Sequence, residues 1–384
     1  MNTDMNTTLT RRSFLVGAAA TAAVPAFGEV GKPLKFLFMA DHHVESDFIQ
    51  SFGAEKGEPV YPCWKPGDHA ALVKTYEFIN TDPFCRDAQF ALFGGDQINT
   101  GYLSHWKDRD AEMERYHRTL QSLDLYRTSK GTDLSSFKFR SVPSFTCTGN
   151  RAKGQAPVTF TCPPLDSRVI AIQGNHDTGV GEFYRECAFQ CGGVRFITFF
   201  ASYVGLPSPR KGVYVSTAKI SDEAMAFIEK EMSAAAADPA INHIVLCSHW
   251  AIADKGPDFH CPIIGACKEN GMSPNRDRLL ALCEKYGCDL YINGHEHNGR
   301  FPVGKVGSLH DVNCGTPTTP PPENERNAAS HGAFALVEIY ADRALFHVYS
   351  RAGVAEDAAG QIVVTARPRR LFTREIPLKP LRGS

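Results

Sequence analysis

The sequence has no apolar run long enough to cross a bilayer, which takes about 20 residues. Its longest, from Phe14 to about Val24, is far shorter. It has no excess of either charge: 41 Lys and Arg stand against 42 Asp and Glu, a formal net charge of −1, with no long basic or acidic block. That speaks against nucleic acid or an anionic membrane as the main partner. It has no Cys-x-x-Cys pair, so a structural zinc site built on that spacing is not expected. No internal repeat and no second membrane segment is visible.

What is present begins at the N-terminus. Thr10-Arg11-Arg12-Ser13-Phe14-Leu15 opens a short apolar stretch that gives way to small residues around Ala26. Charge, apolar run and small residues in that order describe a twin-arginine export signal over residues 1–28, cut near Ala26 to Gly28. That route carries folded proteins, so a periplasmic or otherwise exported location is expected, with any cofactor loaded beforehand. Twelve cysteines fit that address, because disulfides form outside the cytoplasm. Cys147 with Cys162, Cys187 with Cys191, and Cys261 with Cys267 are the expected pairs. Cys247, inside an apolar run, is expected to be a free buried thiol.

The 384 residues can bury one large α/β domain or two smaller ones. Five apolar runs read as buried strands: Lys35–Ala40, Gln89–Phe93, Arg168–Ile172, His243–Ser248 and Cys288–Ile292. Further strands are expected at 194–200 and 212–216, and a closing hairpin at 333–339 and 344–349. Helical periodicity starts at Asp68, with Leu72, Val73, Tyr76 and Ile79 on one face, and recurs over 106–126 and 276–286. Ser221 reads as the N-cap of a helix through Met232. Residues 128–166, rich in Pro, Ser, Thr and Gly, are too few for a core and read as an inserted hairpin or flap, with short β-like pieces at 144–146 and 158–160. The stretch 315–330 is a loop.

The five strands end alike in one respect. They run into Asp41-His42-His43, Gly95-Asp96, Gly174-Asn175-His176-Asp177, His249 and Gly294-His295-Glu296-His297. In open α/β sheets ligands bind at the carboxyl ends of strands. Each ending alone reads equally well as a turn or a capped histidine. Together they bring imidazoles and carboxylates to one edge, where burial is costly unless something compensates the charge. Metal ions do so.

In this order the five motifs resemble the calcineurin-like metallophosphoesterase superfamily, over roughly residues 35–350. The resemblance implies an α/β fold, a four-layer α/β/β/α sandwich of two mixed sheets, with a dinuclear centre at the strand ends. It implies that one metal takes Asp41, His43 and His297, the other Asn175, His249 and His295, and that Asp96 bridges them. Imidazole, carboxylate and amide donors suit iron, manganese or zinc. Such a pair shares a hydroxide that attacks phosphorus in line, opposite the leaving group. His176 is then left to act as general acid or to stabilise the charge that develops. Asp177 either holds the His176 imidazole in a useful tautomer or stabilises its own turn. His42, Asn293 and Glu296 are candidates to brace the ligands from behind, and Tyr102, His105, Trp250 and Arg300 to line the pocket.

The implied activity is hydrolysis of a small-molecule phosphate ester, monoester or diester, by an exported enzyme. A metal-binding protein without catalysis, and a phosphodiesterase acting on nucleic acid or cyclic nucleotides, are the alternatives. The motifs depart from the family's branches. His43 and Asn99 stand where the purple acid phosphatases have Gly and a metal-bound Tyr. His249-Trp250-Ala251-Ile252 lacks the proline usual in cyclic-nucleotide enzymes. The tail is too short for the substrate domain of the 5′-nucleotidases. The expected organisation is a signal at 1–28, a catalytic domain at 32–350 with the flap at 128–166 lying over the site, and an extension at 351–384.

Overall fold

The computed structural model describes residues 32–44, 68–99, 106–127, 138–141, 146–149, 158–161, 168–177, 183–207, 214–253, 275–318 and 331–381. Two mixed sheets lie face to face. The first contains β1 (Leu34–Met39), β2 (Phe90–Phe93), β4 (Val169–Ala171), β11 (Gly332–Ile339), β12 (Arg343–Ser350) and β13 (Arg370–Pro377), in the order β13-β12-β11-β1-β2-β4. The second contains β3 (Lys138–Ser141), β5 (Cys187–Cys191), β6 (Val194–Thr198), β7 (His243–Cys247), β8 (Leu290–Asn293), β9 (Val303–Val306) and β10 (Leu309–Asn313), in the order β9-β10-β8-β7-β6-β5-β3.

Helices α1 (Asp68–Thr81), α2 (Trp106–Leu120) and the short α3 (Asp124–Arg127) belong with the first sheet, and α4 (Asp222–Ala237) and α5 (Asn275–Tyr286) with the second. The result is the expected α/β/β/α sandwich. Period two along β1 explains the layering. Phe36 and Phe38 enter the core between the sheets, while Leu37 and Met39 face Leu72, Tyr76 and Ile79 of α1. Strands buried on both faces must be apolar throughout, which is why they read as unbroken runs. Phe36 stacks on Phe90 at 5.0 Å and Phe189 on Phe196 at 4.9 Å, and the pairs meet edge to face at 5.2 Å across the gap. Each such pair adds about 0.5–1.5 kcal/mol beyond the area it buries.

The pairing directions place the site. β1, β2 and β4 run parallel, as do β6, β7, β8 and β10. The five endings therefore emerge along one side of the sandwich. Ser221 caps α4 as expected, its Oγ accepting the Ala224 amide at 3.1 Å.

Three expectations change. The boundary at residue 350 falls inside a sheet, because β13 pairs along β12 and completes its edge. Cys187 and Cys191 are buried free thiols on one strand. Four residues of strand separate them by about 13 Å, twice the reach of a disulfide. Part of the 128–166 insertion is β3, which joins the edge of the second sheet instead of standing apart from it, while Thr146–Gly149 and Val158–Thr161 pair as the expected hairpin. The export segment, the pairings of Cys147 with Cys162 and Cys261 with Cys267, and Tyr102 and His105 lie outside the described residues. Cys247 is free and buried, as expected. Among the described residues no helix is long and apolar enough to cross a membrane.

Candidate metal centre

The loop after β1 is tied to the loop after β2 by main chain. Asp41 N donates to Gly95 O at 2.9 Å, His43 N to Asp96 O at 2.9 Å and Val44 N to Gln97 O at 3.0 Å. Asp41, His43, Asp96, His295 and His297 all hold left-handed backbone, with φ between 44° and 75°. Non-glycine residues rarely adopt it, and at about 1–3 kcal/mol each it persists only where surrounding bonds enforce it. Five of the six such residues in the described chain carry a candidate ligand. Two threonines do part of the enforcing: Thr316 Oγ1 donates to Asp41 O and Thr318 Oγ1 to His42 O, both at 2.6 Å.

The side chains form three overlapping groups whose ligand atoms lie within 4.8 Å of one another: Asp41, His43 and His297; His43, Asp96 and His176; Asp96, His249 and His295. Asp96 Oδ2 is 3.1 Å from His249 Nε2 and 3.7 Å from His43 Nε2, so its carboxylate stands between the outer groups. Asp41 Oδ1 is 3.3 Å from His297 Nε2, and both Asp41 oxygens accept the His295 amide. Asn175 follows Gly174 on the same turn and keeps partial exposure.

The tautomers test whether cations fit. His249 Nδ1 donates to Gly94 O at 2.8 Å, and His43 Nδ1 to Asn99 Oδ1 at 3.2 Å, since a carbonyl oxygen can only accept. In the neutral rings both Nε2 atoms then carry lone pairs. His43 Nε2 faces His297 Nε2 at 2.8 Å, and His249 Nε2 faces His295 Nδ1 at 3.1 Å. Lone pairs converging in two places around shared carboxylates are a donor set that fits two cations, and the imidazole and carboxylate mixture suits zinc, iron or manganese.

Electrostatics of the protein alone agree. Burial would raise the Asp96 carboxyl, but the imidazoles of His249, His176 and His43 outweigh it and hold it well below the usual carboxylate range. Burial would lower His249, yet Asp96 and Asp41 push it up to about 9. His297 is likewise raised against burial, by Asp41 and Asp96. His43 and His295 are lowered, first by burial and then by their neighbouring imidazoles.

Protein stripped by chelator should therefore be most stable near pH 6.5. The raised His249 stabilises the fold fully below 6.5, and that contribution is lost as pH climbs through about 9. The lowered His43 and His295 cost stability as pH falls below 6.5. Melting temperature followed from pH 5 to 9.5 in EDTA should show both limbs. His249→Gln should shrink the alkaline one, leaving the part due to the raised His297, and should ease the acid one, since the His249 imidazole helps lower His295 and His43. An unchanged alkaline limb in that variant would contradict the assignment.

His176 and Asp177 part company. His176 Nδ1 donates to the Asn99 carbonyl at 2.6 Å, its amide donates to Asp96 Oδ1 at 2.8 Å, and Nε2 lies 3.9 Å from Asp96 Oδ2. The His176 and His297 side chains keep 20% and 29% exposure, against 2% or less for Asp41, His43, Asp96 and His249, so the site opens on their side. Asp177 turns away. Its oxygens accept the amides of Gln97 at 2.9 Å, Ile98 at 3.1 Å and Gly174 at 2.8 Å. It belongs to the turn, and the carbonyl of Asn99 orients His176 in its place.

His42, fully buried, meets the Tyr76 hydroxyl at 3.0 Å and has its pKa lowered to about 3 by burial, partly offset by Gln97. The buried Trp250 ring lies 3.8 Å from that of His295, while Arg300 is exposed. Thr316, Thr318 and the side chain of Asn99 are bracing residues the sequence did not mark. They are isolated polar positions: Asn99 lies three residues past Asp96, and Thr316 and Thr318 stand near no motif.

A family model described as calcineurin-like phosphoesterase matches residues 34–299. A search of curated proteins finds no match. The chain is also similar to several solved structures. One is described as GAP50, the anchor in the inner membrane complex of Plasmodium, with 13% identity, a TM-score of 0.39, and coverage of 91% of this chain and 90% of that one. The second is the sulfate thiohydrolase SoxB of Thermus thermophilus in complex with glycerol, with 14% identity, a TM-score of 0.33, and coverage of 91% and 57%. The third is the NAD nucleotidase NadN of Haemophilus influenzae, with 13% identity, a TM-score of 0.29, and coverage of 90% and 50%. The chain thus spans little more than half of the latter two, and none of these likenesses is close enough to carry a function.

Proposed function

The chain belongs to the calcineurin-like phosphoesterase family, and on that premise we propose that it is an exported, dinuclear-metal hydrolase of small phosphate esters. The observation that carries the proposal is the pair of facing imidazole nitrogens, 2.8 and 3.1 Å apart, on either side of the Asp96 carboxylate. Asp41, His43 and His297 would hold one ion and Asn175, His249 and His295 the other, with the Asp96 carboxylate standing between the two groups. When bound, such a pair supplies Lewis acidity and an acidified water for in-line displacement at phosphorus.

The protein's own residues do the rest. Asp41, fixed through the His295 amide, and Asp96, fixed through the His176 amide, keep their remaining lone pairs aimed inward. His176 has its Nδ1 proton committed to Asn99 O, so Nε2 is the atom it offers to the open side. A proton carried on Nε2 is placed to pass to the departing oxygen. The Asn99 carbonyl supports the imidazolium, as a carboxylate does in other sites. The domain runs from residue 32 to 381, since β13 belongs to its first sheet, and residues 1–28 direct export.

The test is a panel of aryl phosphate, bis-aryl phosphate, cyclic nucleotides and phospholipid head groups, with manganese, iron or zinc added after chelation. Turnover of at least one ester, lost with EDTA and restored by metal at two equivalents per chain, is the expected result. Two bound equivalents with no turnover on any member would make the protein a metal-binding relative without catalysis.

A further inference from the structure

Behind the ligand loops, β8 and β10 run parallel with Tyr291 opposite Asp311 and Asn293 opposite Asn313. All four are buried. Asp311 Oδ2 accepts the amides of Ile252 at 2.7 Å and Ala253 at 2.8 Å, in the loop that follows His249. Asp311 Oδ1 accepts Asn293 Nδ2. Asn293 Oδ1 accepts Asn313 Nδ2 at 2.8 Å, and the same Asn313 amide donates to Gly294 O, directly before His295.

The chain of bonds has a direction. The Asp311 oxygens accept from three N–H groups, so the NH2 of Asn293 is turned toward Asp311 and the Asn293 oxygen toward Asn313. Asn313 must then present its NH2, which also reaches the Gly294 carbonyl. One carboxylate therefore sets both the loop carrying His249 and the turn carrying His295. Tyr291 adds a bond from its hydroxyl to Trp250 O at 2.5 Å. The other half of the site has further anchors of its own, and the His295 amide on Asp41 is its tie to this network. The Asp41–His43 segment hangs on the β2 loop and on Thr316 and Thr318, and His331 Nε2 donates to the His297 carbonyl at 3.1 Å.

We propose that Asp311 is the positioning residue for the metal site built by Asp96, His249 and His295, acting through Asn293 and Asn313. The inference rests on the dinuclear reading above. Outer partners of metal ligands typically govern affinity by about 10–100-fold. The direction of the network supplies its own control. In Asp311→Asn the amide oxygen can keep the two loop amides, but its NH2 then confronts that of Asn293. In the swap Asp311→Asn with Asn293→Asp, the carboxylate moved to position 293 accepts from the amide introduced at position 311 and from Asn313. The bonds that join the three side chains, and the net charge, are restored.

Titration of chelator-stripped protein with Mn2+, read by calorimetry and elemental analysis, tests this without substrate. Wild type should take up two equivalents. Asp311→Asn should weaken the site of His249 and His295 by about 10–100-fold and the site of Asp41, His43 and His297 markedly less, and the swap should recover the lost affinity. Two wild-type sites in Asp311→Asn, equal weakening of both sites, or a swap no better than the single variant would overturn the proposal. If Asp311→Asn does not fold, the swap decides alone: two wild-type sites support it, fewer overturn it. Wild type that binds no Mn2+ would instead remove the dinuclear reading and this inference with it.

Discussion

Asp96→Asn is expected to retain at most one metal equivalent and to lose at least about 10³-fold in turnover on any ester that wild type cleaves. Lewis-acid stabilisation is worth several kcal/mol, and each 1.36 kcal/mol is a decade in rate. The orientation of the amide explains why an isosteric change should do this. Asp96 Oδ1 already accepts the His176 amide at 2.8 Å, while Oδ2 faces His249 and His43. An asparagine that keeps its oxygen on His176 turns an NH2 toward both ion positions. One that flips gives up the His176 bond and still offers only a neutral oxygen. Removing the carboxylate also takes away the group that holds His249 protonated, so the alkaline limb of the stripped protein should shrink. Elemental analysis beside turnover checks the main effect. Two retained ions at the wild-type rate would remove Asp96 from between the two groups.

The five ligand-bearing endings were legible because each follows a strand buried on both faces. Such a strand is mostly apolar until it leaves the sheet, so a run of polar residues directly after it marks the edge where ligands gather. Edge strands gave no comparable signal. β13 is half exposed, with its side chains mostly in solvent, and β9 alternates Val, Gly, Lys and Val. β13 read as part of the polar extension, and the catalytic domain therefore looked complete at residue 350. Asp177 shows a different limit. An Asp beside a catalytic His candidate invites the reading of an orienting pair, but the turn sends its carboxylate to three main-chain amides instead. Adjacent residues in a turn diverge, and residue type alone does not say which way. The left-handed conformations of Asp41, His43, Asp96, His295 and His297 were equally hidden, because they fall on side chains that disfavour them. Binding chemistry decides those positions, and local propensity was overruled.

Gly174→Ala should cripple the centre without touching a single ligand. A Cβ at this position would stand 2.1 Å from Asp96 Oδ1 and 2.3 Å from Asp96 N. Neither atom is the free end of a flexible side chain: one is held by the His176 amide, and the other belongs to a left-handed residue. Gly174 itself is not at positive φ, so the expected damage is a collision rather than a forbidden dihedral. The β2 loop and the Asn175–His176 turn must move apart, and a misplacement of about 1 Å costs on the order of 10²-fold in rate. Overpacking of this kind also costs about 1–3 kcal/mol of stability. Gly307→Ala is the matched control, since it has φ +62° and open space for its Cβ. It should cost about 1–2 kcal/mol of backbone strain and leave both ions and the rate in place. If Gly174→Ala keeps two equivalents of metal and a rate within a few-fold of wild type, the close approach of this turn to Asp96 is not what holds the centre together.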